Sequence, residues 1–199
     1  MNRPLKIILR VVGVLVALLL AVTLFLYLRF KPDEYGRVVP WGESIDITVL
    51  PNFRASLLEQ SDLKIYEGLP HQGWEHELLR SEIKSKETTK IHGFHFYSNE
   101  ISPSTAHRDL LVAALSNPEG IMEWAGMKLC GGYHPDYAVR WKDAKGAEFD
   151  ALICFGCHEI KLYGAGSQLY ADLSKEVYNP LKEVLSEYED QRPKPNQKG

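Results

Sequence analysis

Cysteine is scarce in this chain of 199 residues, where Cys130, Cys154 and Cys157 are the only three. An odd number excludes a fully paired set, so in an oxidising compartment at most one intramolecular disulfide forms and one thiol is left over. There is no G-x-S-x-G elbow, no H-E-x-x-H pair and no Walker loop. Their absence removes the strained nucleophile of an α/β-hydrolase, the zinc pair of a metallopeptidase and the phosphate cradle of an NTPase. Nor is there an internal repeat, which excludes a solenoid or propeller. Beyond residue 31 the only cluster of cations is Arg192-Pro193-Lys194-Pro195. Counterion release needs several cations on one surface, so nucleic acid is not an expected partner.

Charge is also missing from residues 11–28, an 18-residue apolar run whose single aliphatic hydroxyl is Thr23. At 1.5 Å per residue a helix there is about 27 Å long, close to the hydrocarbon thickness of a bilayer. Arg3, Lys6 and Arg10 precede the run, while Arg29 and Lys31 follow it. That bias predicts a single-pass helix in an inner or plasma membrane, with the N-terminus cytoplasmic and the rest outside. Ala21-Val22-Thr23 is a small-x-small cleavage pattern, but the apolar run continues five residues past it. This length favours an uncleaved anchor over a signal peptide. Without residues 1–31, which hold five cations and no acidic residue, the remainder carries a net charge of about −8.

The expected organisation is an N-terminal membrane anchor (1–31), a tether and entry segment (32–60), an α+β extracytoplasmic domain (61–190) and a disordered tail (191–199). Tyr35 and Trp41 in the tether are expected at the membrane interface. Alternating Ile45, Ile47 and Val49 predict a strand, and residues 52–58 at most a short helical turn. Leu63, Ile65 and Tyr66 predict a second strand, and residues 72–90 a long loop holding no more than a hairpin or helical turn. The run 91–97, Ile-His-Gly-Phe-His-Phe-Tyr, reads as a strand central to the sheet. A cap at residues 102–105 followed by Leu110, Leu111, Ala114 and Leu115 predicts a helix. So does the stripe Val177, Leu181, Val184, Leu185 and Tyr188, with a cap at Ser174 or Asn179 and Pro180 kinking the helix or starting it. Residues 137–141 with 149–155, and 159–163 with 168–173, each read as a hairpin. The fold class is therefore α+β: a mainly antiparallel sheet with about two helices on one face, preceded by one transmembrane helix. His71 and His76 are expected on the solvated surface, and His92 and His95 as half-buried rings bonded to backbone.

Chemistry concentrates at the cysteines. Cys154-Phe155-Gly156-Cys157-His158 matches the C-x-x-C-H pattern that attaches haem c, with Met122, Met127 or His134 available as a second axial ligand. Its strand-and-turn surroundings count against that reading. Cys130, His134, Cys154 and Cys157 have the spacing of a Cys3His zinc site, although zinc thiolates are less usual in an oxidising compartment. The C-x-x-C pair also suits a thiol–disulfide redox protein, but not in the helix-opening setting that lowers a thiol pKa. The favoured reading is a non-enzymatic anchored domain whose cysteines are structural. If the turn at residues 143–146 closes its hairpin symmetrically, facing residue numbers sum to about 289. Cys157 then faces the region of Gly132, and a Cys130–Cys157 disulfide with a buried Cys154 thiol is the shorter reach. A Cys154–Cys157 bond is the competing connectivity.

Ile91-His92-Gly93-Phe94, the helix after it, Cys130 with Tyr133-His134-Pro135 and Tyr137-Ala138-Val139, and Ile153-Cys154-Phe155-Gly156-Cys157 together resemble a family of bacterial secreted or membrane-anchored proteins of unknown function. The resemblance covers about residues 60–190 and rests on a pattern similar to C-x-F-x-P, a hairpin, then C-F-x-C. This chain departs from it by the longer Cys130-Gly131-Gly132-Tyr133. The resemblance implies that the three cysteines belong together and that His158 is incidental; it brings no activity, cofactor or protein partner with it.

Overall fold

The computed structural model describes residues 3–29, 39–40 and 42–193. The chain divides into two units, Met1–Gly42 and Glu43–Gly199. The first contains α1 (Arg3–Arg29), the one helix among the described residues that is long and apolar enough to cross a membrane. The Thr23 hydroxyl donates back to the Leu19 carbonyl at 2.8 Å, which satisfies that polar side chain within its own helix. Tyr35 and Trp41 lie outside the described residues.

The second unit is α+β, with a six-stranded, wholly antiparallel sheet in the order β1-β5-β6-β7-β8-β4. Its strands are β1 (Lys64–Glu67), β4 (Ile121–Glu123), β5 (Tyr137–Lys142), β6 (Glu148–Cys154), β7 (Glu159–Gly164) and β8 (Ser167–Leu173). A separate hairpin pairs β2 (Thr88–Ile91) with β3 (Phe94–Tyr97). The helices are α2 (Leu50–Leu58), α3 (His76–Ser85), α4 (Thr105–Ser116) and α5 (Lys175–Ser186). With α1 that makes five among the described residues, where about two beyond the anchor were expected.

Alternation along the strands gives the sheet two differently covered faces. Val139, Trp141, Phe149, Ala151, Ile153, Ile160 and Leu162 pack with Phe53 and Leu57 of α2, Leu111 and Leu115 of α4, and Val177, Leu181 and Leu185 of α5. The opposite face, with Tyr66, Ala138 and Leu152, lies under Ile91 and Phe96 of the β2–β3 hairpin. Ser104 caps α4 by accepting the His107 N–H at 3.2 Å. In α5, Ser174 is the N-cap residue and Pro180 lies inside the helix rather than at its start.

Four local expectations fail for identifiable reasons. Residues 45–49 form no strand: the Asp46 carboxylate accepts both the Thr48 N–H (3.0 Å) and hydroxyl (2.6 Å), and this side-chain capture winds Ile47–Val49 into a 3-10 turn. Residues 91–97 are not one central strand either. His92 and Gly93 both have positive φ, +48° and +88°, and so form the tight turn between β2 and β3. Pro51 sits in the first turn of α2, where its missing N–H costs nothing, and Leu50, Phe53 and Leu57 are buried at helical spacing. The long loop at 72–90 contains α3, whose one buried residue, Glu82, accepts the Tyr97 hydroxyl at 2.8 Å.

The chain end also departs from expectation, since Gln191 and Arg192 are docked. The buried Glu67 carboxylate accepts the N–H groups of Asp190, Gln191 and Arg192. The Arg192 guanidinium reaches Asp136 and the Gly68 and Leu69 carbonyls. Residues 194–199 lie outside the described residues. Gly68 is the crowded point of this corner, because a Cβ added there would stand 2.2 Å from the Pro135 carbonyl oxygen. Gly68→Ala is expected to destabilise the domain by about 2–3 kcal/mol through overpacking, measured as a drop in urea midpoint with unchanged slope.

Candidate functional site

The cysteines meet at the β6–β7 turn, residues 155–158, where His158 takes a φ of +58°. The ladder ends with Cys154 opposite Glu159, so both side chains leave the sheet on the face away from α2, α4 and α5. Cys157, within the turn, is bonded to Cys130, with sulfurs 2.05 Å apart and Cα atoms 5.6 Å apart. The bond ties the turn to the segment between β4 and β5. Tyr137 pairs with Ile153, one residue out of step with the symmetric register expected of the hairpin. The disulfide lies beyond the paired residues, so this slip leaves it unaffected. Cys154 is a buried free thiol. Burial pushes its pKa up to about 11; the carboxylates of Asp136 and Glu159 act in the same sense, and the backbone N–H groups of His134 and Cys157 oppose them. At neutral pH it is a thiol and a poor nucleophile.

Around it lies a buried polar cluster. Glu159 accepts the Trp124 indole N–H at 3.1 Å and the Tyr170 hydroxyl at 2.6 Å, and its carboxylate is 3.3 Å from the Lys128 ammonium. Lys128 also binds Asp172 at 2.6 Å, and Asp172 accepts the Ala125 N–H. Lys161 sits over the rings of Tyr133 and Tyr170, 4.4 and 4.7 Å from their centroids, and pairs with Glu43 at 2.6 Å. The Tyr133 hydroxyl donates to the Leu152 carbonyl. Burial raises the pKa of both tyrosines well above the ordinary range. Each buried charge thus has an opposite partner, as its desolvation requires, and removing one partner of such a pair costs about 3–5 kcal/mol.

The cluster holds the loop between β4 and β5 by its base. Lys128, the one charged residue of 125–132, is turned inward, and Cys130 is cross-linked. On the adjoining turn, the His71 Nδ1 accepts the N–H groups of Gly73 and Trp74. The Trp74 indole N–H donates to the Cys130 carbonyl at 3.3 Å. His71, expected on the solvated surface, is therefore a brace, and its ring lies 4.7 Å from that of His134. Burial pulls the His134 pKa down to about 4; the charges of Arg192 and His71 reinforce this, and Asp136 and the Leu69 carbonyl oppose it. His134 and His95 line one cleft of about 40 Å³. His92 bonds the Asp150 carboxylate at 2.7 Å and stacks on Tyr163, rather than bonding to backbone.

The arrangement brings Cys130, Cys157 and Cys154 together without assembling either cofactor site. Two of the four zinc candidates are bonded to each other, and among the described residues no three His, Cys, Asp or Glu side chains converge as metal ligands. The haem pattern is broken at its second thiol, and His158 stacks on Tyr178 at 3.9 Å against α5. Glu159, Lys161, Asp172, Lys128 and Tyr170 were not singled out from the sequence. The signal was present in Glu159-x-Lys161, where alternation places two charges on one face of a strand with apolar neighbours. Alternation by itself assigns such a face to solvent. Comparison with protein-family models, with curated proteins and with solved structures returned no match.

Proposed function

We propose that the chain is a single-pass membrane protein whose domain stands on the oxidising side of the membrane and acts without catalysis, by presenting the loop that its cysteines cross-link. The observation that carries this reading is the pairing of Cys130 with Cys157 while Cys154 stays enclosed and protonated. Disulfides persist in oxidising compartments, and a thiol with a raised pKa suits packing better than exchange. The apolar run of α1, and the cations Arg3, Lys6 and Arg10 at the N-terminal end of that helix, support the anchor and its direction. The three-cysteine pattern, similar to that of bacterial secreted or membrane-anchored proteins, agrees with the same placement.

Protease added to intact spheroplasts is expected to digest the domain and leave α1 in the membrane. Protection of the whole chain would reverse the orientation. Release of a soluble product lacking about the first twenty residues would replace the anchor with a cleaved signal.

A further inference from the structure

We infer that the apex of the cross-linked loop, with Trp74, is a lipid-docking surface for the bilayer that holds the anchor; the inference rests on the anchored reading above. Trp74 is 72 % exposed, Met127 73 % and Leu129 fully exposed, three large apolar side chains on two loops joined by the Trp74–Cys130 hydrogen bond. Such side chains are costly to hold in water, yet these loops are fixed rather than free to collapse. The disulfide, the Lys128 ion pairs and the His71 brace hold them outward. A Cβ added at Gly131 would stand 2.3 Å from the Trp74 indole nitrogen, so the indole lies flush on the loop backbone.

Three features select lipid as the occupant. The side chains are those that settle at the headgroup and acyl boundary, with tryptophan foremost. Their combined area is on the order of a few hundred Å², short of the roughly 800 Å² per partner that a stable protein interface buries. The way the chain enters the domain points in the same direction. Ser44 accepts the Tyr170 N–H at 2.6 Å, extending the edge of β8 past the point where β4 stops at Glu123 opposite Ala171. Glu43 pairs with Lys161 beside Tyr133. The tether therefore joins the domain next to the segment that starts at Trp124 and carries Met127 and Leu129. Lys128, the one charged residue of 125–132, is engaged internally, so docking is expected on zwitterionic lipid and insensitive to salt.

The test uses the full chain, one copy per nanodisc, in phosphatidylcholine with brominated acyl chains. Trp41→Phe removes the tether indole, and Trp124 and Trp141 are buried. Expected are a blue-shifted, bromine-quenched emission from Trp74 and its loss in Trp74→Phe. In Met127→Asp/Leu129→Asp quenching is lost while the thermal midpoint is kept. Red-shifted, unquenched Trp74 emission would overturn the inference, as would quenching unchanged by the double aspartate. Burial of the apex only in discs holding two copies would assign the surface to a second copy of the chain instead. Alkaline carbonate separates the two readings: extraction of the protein defeats anchoring and docking together, whereas retention with Trp74 unquenched defeats docking alone.

Discussion

Cys130→Ser, Cys157→Ser and the double variant are each expected to lose the same stability, about 3.5 kcal/mol. The cross-linked residues are 27 apart in sequence, and closing a loop of that length removes this much chain entropy from the unfolded state. Either substitution abolishes the one bond, so the second adds nothing, and the coupling between them is as large as each single effect. The series belongs in a Cys154→Ala background, because a released Cys157 would otherwise have Cys154 three residues away as an alternative partner. Urea unfolding followed by tryptophan emission measures it. Additive losses, or losses below about 1 kcal/mol, would show that the bond does not constrain the fold, and peptide mapping that joins Cys154 to Cys157 would show the connectivity to be wrong.

Stability is expected to fall steeply on acidification, with His134 as the main histidine responsible. Its folded pKa, about 4, lies below the ordinary histidine value of about 6.5 because burial penalises the imidazolium. The unfolded chain therefore takes up a proton first. The neutral ring's contribution is fully present above about pH 6.5 and is lost as pH falls toward 4. The loss is about 2 kcal/mol by pH 5 and about 3 kcal/mol below pH 4. The groups facing the ring set the balance: Arg192 and His71 oppose its protonation, Asp136 favours it, and His95 shares the cleft with a pKa also lowered by burial. His134→Asn is expected to start less stable or equal at pH 7 and to remove most of the slope between pH 7 and 5. An unchanged slope in that variant would place the acid sensitivity elsewhere.

Much of the sheet was legible because its signals are local. Residues 143–146 are turn-rich, and the Asp143 carboxylate accepts the Lys145 and Ala147 N–H groups there, so β5 and β6 were found in nearly the right register. The β7–β8 hairpin was marked by Gly164-Ala165-Gly166-Ser167, and α4 and α5 by caps and apolar stripes. Failures came where a side chain overrode the pattern, as Asp46 does, or where one glycine inside an apolar run stood for a turn, as Gly93 does. The disulfide was legible because hairpin geometry limits which sulfurs can meet. The buried ion cluster was not, because periodicity shows that Glu159 and Lys161 share a face but not that Trp124, Lys128 and Tyr133 cover it from a loop without period.

The Glu43–Lys161 pair and the Ser44–Tyr170 hydrogen bond also decide how a mechanical load would enter the domain. A pull along the N-terminal segment meets those two contacts first, on β7 and β8, strands hydrogen-bonded along their length to each other and, through β7, to β6. Peeling Glu43 and Ser44 away breaks one ion pair and one hydrogen bond, and the strain then meets the 3-10 turn Ile47–Val49, which packs on the core ahead of α2. The attachment is therefore expected to give way before the sheet does, lengthening the tether by a few residues and leaving the cross-linked loop and the strands beneath it in register.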